Sequence, residues 1–171
     1  MDTLTIFFLS VFLSLVLFGL IARWYLLPWL HSVSWEEGLT PLLLLHSFRF
    51  IGLAFLVPGV VGPALTSAFA APAAYGDLLT ALLALAALIA LRQKAGVTVP
   101  LLWLFNLVGT LDLLYAFFQG FSHDVVPSGQ LGAAYFIPTI IVPALFVTHF
   151  IIFRWLLGAK SRQKMKLSPV A

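Results

Sequence analysis

Cysteine is absent from the 171 residues. That rules out a disulfide-stapled secreted domain and any thiolate metal site. Charge is scarce as well. Asp, Glu, Lys and Arg make up 9% of the chain, where a soluble domain carries about a quarter. A disordered chain and a soluble enzyme are both excluded by this shortage. No Gly-x-Ser-x-Gly elbow, His-Glu-x-x-His pair or phosphate-binding glycine loop occurs. With so few basic residues outside the chain ends, no nucleic-acid partner is expected.

What is present is apolar. Hydrophobic residues account for 62% and aromatic residues for 15%, and the mean hydropathy is +1.09. One buried helix cannot produce such an average, so the chain reads as an all-α, polytopic integral membrane protein. A bilayer core about 30 Å thick needs roughly 20 apolar residues of helix. Five windows qualify, at about residues 4–22, 39–61, 75–91, 97–118 and 131–157. Barrel strands would alternate polar and apolar residues over about ten positions. These windows are apolar on every side for twice that length, which favours a five-helix transmembrane bundle. Pro41 is placed in the first turn of the second span, after a Glu36-Glu37 start signal. Pro138 and Pro143 predict a kink in the fifth. Residues 23–38 are too aromatic for a solvated loop and are expected to lie along the interface. Residues 62–74 read as an uncharged outer turn.

Five spans segregate the basic residues completely. Arg23, Arg92, Lys94, Arg154, Lys160, Arg162, Lys164 and Lys166 fall on one side, and no Lys or Arg falls on the other. By the positive-inside rule the N-terminus is outside and the C-terminus cytoplasmic, in a plasma membrane of the bacterial inner-membrane type. Trp24, Trp29, Trp35, Trp103 and Trp155 all lie near the cytoplasmic interface in this topology. The lipid bilayer is the first partner. The basic tail, residues 158–171, would attract anionic lipid, and Ser10 and Ser14 would permit close helix approach in a homodimer or larger membrane complex.

One basic residue is left over. Arg49 lies inside the second span, beside His46 at a spacing of three. Asp77, Asp112 and His149 are the other ionisable groups within spans. Such groups cost about 2.5–3.5 kcal/mol each on insertion scales and are functional candidates by default. At 1.5 Å per residue, His46 and His149 sit about 10 and 12 Å from the cytoplasmic side. Arg49 follows one turn further out, with Asp112 beyond it and Asp77 near the outer end of its helix. Arg49 and Asp112 are expected to pair, because a lone buried charge is costly. Asp77 also suits a helix start, where an acidic group favours the dipole. Tyr115 shares the Asp112 stripe and joins the expected polar core. Asn106 points about 120° away from Asp112 and need not share its site.

Three functions fit these residues. In a b-type haem or quinone redox protein, His46 and His149 would be axial iron ligands on different helices, and Arg49 would meet a propionate or a quinone carbonyl. In a small carrier or proton-coupled transporter, Asp77, Asp112, Arg49 and His46 would form a relay towards the cytoplasm. The lack of an internal repeat counts against that reading unless the protein dimerises. The third is a non-catalytic accessory or assembly subunit. Of the three, the redox protein leads on the matching depth of the two histidines. Whether the chain is an enzyme is open, since no residue specifies a substrate.

Overall fold

The computed structural model describes residues 1–166, with side chains through residue 158. Helix α1, Thr3–Ile21, continues through a π-helical turn, Ala22–Leu26, into α2, Leu27–Ser32. Helix α3, Trp35–Ser47, passes directly into a 3-10 helix, Phe48–Leu56. Helices α4, Ser67–Arg92, and α5, Thr98–Ser122, follow. A short 3-10 turn, Gly132–Tyr135, and a π turn, Ile137–Ile141, then lead into α6, Val142–Lys166. Among the described residues no strand forms. Five helical stretches are long and apolar enough to cross a membrane: Thr3–Ser32, Trp35–Leu56, Ser67–Arg92, Thr98–Ser122 and Gly132–Gly158.

Their ends differ from the apolar windows because caps are polar. Asp2 accepts the Thr5 N–H at 2.8 Å, and hydrogen bonding from the Thr5 side chain, then from this N–H, holds its carboxyl below the usual carboxylate range. Ser34 and Glu37 form a reciprocal capping box that starts α3 at Trp35. Pro41 therefore lies inside α3 and not in its first turn. The segment expected along the interface is largely helical, since α1 runs on through α2 to Ser32. The expected outer turn at 62–74 is half helix, because Thr66 caps α4 by accepting the Ala68 N–H at 3.2 Å. At the other end of the second span the helix stops at Leu56. Pro58 disfavours α geometry at Val57, and Gly59 turns the chain at φ +83°. The basic tail and its expected lipid contacts lie outside the described side chains.

Helix α4 is the hub. It packs against α3, the 3-10 helix and α5, while α6 packs on α1 and α5. An alanine stripe makes this approach close: Ala70, Ala73, Ala74, Ala81, Ala84, Ala87 and Ala90 are all buried. Small side chains let helix backbones meet where lipid provides no hydrophobic drive for association. Helix α1 lies at the edge of the bundle, with Phe8, Phe12, Leu17 and Trp24 exposed.

Two apolar cores sit one above the other. The first holds Phe7, Phe55, Phe69, Ala73, Leu113 and Leu145. The second holds Leu39, Leu43, Ala84, Phe105 and Ile152. Four of the helical stretches that contribute to both are interrupted between them by buried polar or charged residues. These are His46 and Arg49, then Asp77 and Thr80, Asn106 and Asp112, and Thr148 and His149. The bundle is layered apolar, polar, apolar.

Candidate functional site

Arg49 organises the polar layer and is completely buried. The 3-10 winding places it there. In such a helix residues i and i+3 eclipse, and Arg49, Gly52 and Phe55 are the three buried residues of this stretch. The stripe faces α4.

Each nitrogen of the guanidinium has a partner. Nε donates to Asp77 Oδ1 at 2.7 Å. Nη2 pairs with Asp112 Oδ2 at 2.5 Å and lies 2.7 Å from Asp77 Oδ1. Nη1 donates to the Gly109 carbonyl at 3.1 Å and faces His149 Nε2 at 3.4 Å. One guanidinium thus serves two carboxylates, as its planar fork allows. The triad holds one more negative than positive formal charge.

Three glycines make room for it. A Cβ on Gly52 would overlap the Asp77 carboxylate, and one on Gly76 would overlap that of Asp112. A Cβ on Gly109 would stand 2.6 Å from Thr80 Cγ2 and 2.8 Å from the His149 ring. Such distances are well inside van der Waals contact.

The histidines form the half of the layer next to the second apolar core, close to Leu43 and Ile152 along their helices. His149 Nδ1 lies 2.6 Å from Asn106 Oδ1, and Asn106 Nδ2 donates to the His149 carbonyl at 3.2 Å. An amide oxygen only accepts, so Nδ1 carries the proton and Nε2 offers its lone pair to Arg49. His46 Nε2 lies 3.0 Å from Thr148 Oγ1. That hydroxyl donates to the backbone carbonyls of Ala144 and Leu145, so it accepts from His46 Nε2–H. His46 Nδ1 is left as a buried lone pair without a hydrogen-bond partner among the described residues.

The two rings are in contact, with centroids 4.1 Å apart at 48°. Their matching depth is therefore real proximity. As placed, however, they are not an axial pair for haem. No layer for a macrocycle lies between them, and both nitrogens of His149 and Nε2 of His46 already have partners.

Other expectations are revised by the packing. Asp77 does not cap α4, because it stands ten residues beyond Ser67. It lies in the same layer as Asp112, not outside it, since one guanidinium reaches both. Tyr115 is 50% exposed and outside the polar core. Asn106 belongs to the site through His149 despite its angle to Asp112. Thr148 and the three glycines had no part in the sequence reading. Their signal is proximity, for Gly52, Gly76 and Gly109 lie within three positions of Arg49, Asp77 and Asp112.

Above the triad lies a cavity of about 40 Å³. Its walls include Phe7, Phe55, Phe69, Ala73 and Phe117, and Asp77 and Asp112 complete its lining. The carboxylates reach this space and the guanidinium does not. Their side chains are 10% and 13% exposed, against 0% for Arg49. A molecule in the cavity meets acceptors.

No curated protein and no solved structure matches the chain. A family model described as a domain of unknown function (DUF8737) matches residues 6–157, which take in all five apolar helices and every residue of the polar layer, and the chain belongs to that family.

Proposed function

We propose that this protein is a proton-coupled carrier of a plasma membrane of the bacterial inner-membrane type. In this reading its N-terminus is outside and its C-terminus cytoplasmic, as the complete segregation of basic residues supports. The observation that carries the function is the sharing of Arg49 between Asp77 and Asp112 in a buried layer. An unbalanced charge in a low-dielectric interior is costly. A proton or a bound cation on the carboxylates balances the triad, and its arrival or departure changes what Arg49 must hold.

The remaining polar groups continue inward from that point. Arg49 contacts His149 Nε2, the His149 ring lies against His46, and His46 Nδ1 is an acceptor without a partner among the described residues. This order supports a coupling path in which a proton on the carboxylates changes how Arg49 holds His149, from the outer cavity towards the cytoplasmic half, with Arg49 staying charged. A redox role has less support. A quinone presents carbonyl acceptors, and the cavity would offer them carboxylates while Arg49 stays shielded.

Proton flux into liposomes tests the proposal. Purified protein is reconstituted around a pH-sensitive dye, and an inward pH step is applied with the potential clamped by potassium and valinomycin. Wild-type protein is expected to acidify the lumen faster than empty liposomes do. Asp112→Asn is expected to slow this by roughly tenfold or more, the effect of removing a proton-transfer group. Equal rates for wild type and Asp112→Asn would exclude the mechanism.

A further inference from the structure

The cavity and the triad together define a ligand, and the argument rests on the proton-balanced triad proposed above. Three properties constrain what fits. The walls are aromatic and aliphatic, so the body of the ligand is apolar. The polar groups that reach the space are two carboxylates, with the guanidinium hidden behind them. The head of the ligand is therefore a hydrogen-bond donor carrying positive charge, because an anion or a bare carbonyl would face like charge or unpaired acceptors. The volume is about 40 Å³, where one water needs about 10–15 Å³. A chain of about three or four heavy atoms fits and a ring system does not.

We infer that this cavity binds a short, linear primary alkylammonium ion. Its ammonium group lies against Asp112 and Asp77 and its alkyl chain lies among Phe55, Phe69, Ala73 and Phe117. The charge balance is simple. The triad without a proton carries one excess negative charge, and either a proton or one ammonium neutralises it. Binding of the ammonium therefore releases one proton, and no bond other than that to the displaced proton is broken. This makes the carried solute a small amine and its coupling an exchange against protons.

Titration calorimetry on the full chain in lipid nanodiscs tests this, with empty nanodiscs as reference and n-propylammonium chloride as probe. Repeating the titration in buffers of different ionisation enthalpy counts the protons released. Binding is expected with release of about one proton per ion bound. n-Propanol and propionate are expected to bind roughly tenfold more weakly or not at all, since neither supplies the charge-assisted contact. Ala73→Leu puts a larger side chain into the cavity and keeps all three charged residues. It is expected to weaken n-propylammonium roughly tenfold while changing methylammonium much less. Asp112→Asn should abolish proton release.

n-Propanol binding as tightly as n-propylammonium would overturn the inference, as would binding without proton release. An Ala73→Leu variant that treats both ions as the wild type does would also overturn it. The ligand series on the wild type stands even if a variant fails to fold. Binding with proton release but no Asp112-dependent proton flux into liposomes loaded with n-propylammonium keeps the site and removes the carrier. Asp112-dependent flux with no alkylammonium binding keeps the carrier and removes the ligand.

Discussion

Arg49 shows how a buried charge is tolerated and what its removal does. Its guanidinium is fully buried but completely partnered. Replacing Arg49 alone leaves two carboxylates facing each other in an apolar interior, and breaking a buried pair in this way costs about 3–5 kcal/mol. Arg49→Met is therefore expected to lower the thermal unfolding transition of the detergent-solubilised protein sharply. The triple variant with Asp77→Asn and Asp112→Asn should recover much of that loss, because no unpaired charge remains. Circular dichroism against temperature reads both. A triple variant less stable than the single one would refute this account. At the neighbouring ring, Asn106→Leu removes the acceptor for His149 Nδ1–H, and an unsatisfied buried donor costs about 1–3 kcal/mol. Tyr115→Phe, at an exposed position, should leave the same transition unchanged.

At the scale of elements, close approach depends on glycine and alanine. The 3-10 helix, α4 and α5 meet at Gly52, Gly76 and Gly109, where a carboxylate or a histidine ring occupies the place of a methyl group. Gly76→Ala is expected to destabilise by about 1–3 kcal/mol, the usual effect of overpacking. Gly19→Ala has no neighbour within 4 Å and removes a flexible residue from α1. It should be neutral or stabilising by up to about 1 kcal/mol. Parallel melts of the two variants provide the comparison, and equal losses would show that contact geometry is not the cause. The type of each long helix was legible in the sequence, because runs of about 20 apolar residues have few alternatives. Helix ends were less so. Ser34, Glu37 and Thr66 cap through polar side chains that a hydropathy window counts against a helix. The 3-10 winding of Phe48–Leu56 left no sequence signature beyond Gly52 and the Pro58 stop.

For the whole molecule, the layering is the feature that unites fold and site. Four helices cross the same level with polar side chains, and apolar packing lies above and below. The absence of cysteine gives the proposed topology a direct test. His123→Cys, in the turn after α5, should react in intact cells with a membrane-impermeant maleimide. Gln93→Cys, between α4 and α5, should react only after permeabilisation. The reverse pattern would place the N-terminus in the cytoplasm.

Read alone, the sequence established that the chain is mostly helical and apolar, and that Arg49 and Asp112 need each other. Those conclusions follow from composition, helical rise and the cost of an isolated charge, which depend on no particular partner. Only the tertiary structure decided that Asp77 joins the same guanidinium, that Asn106 holds His149, and that the two histidine rings touch. Depth along a helix axis places residues in one layer but says nothing of rotation between helices. Rotation is set by packing, here by the alanine face of α4 and the glycines beside each charge, and it turned five separate polar residues into one connected site.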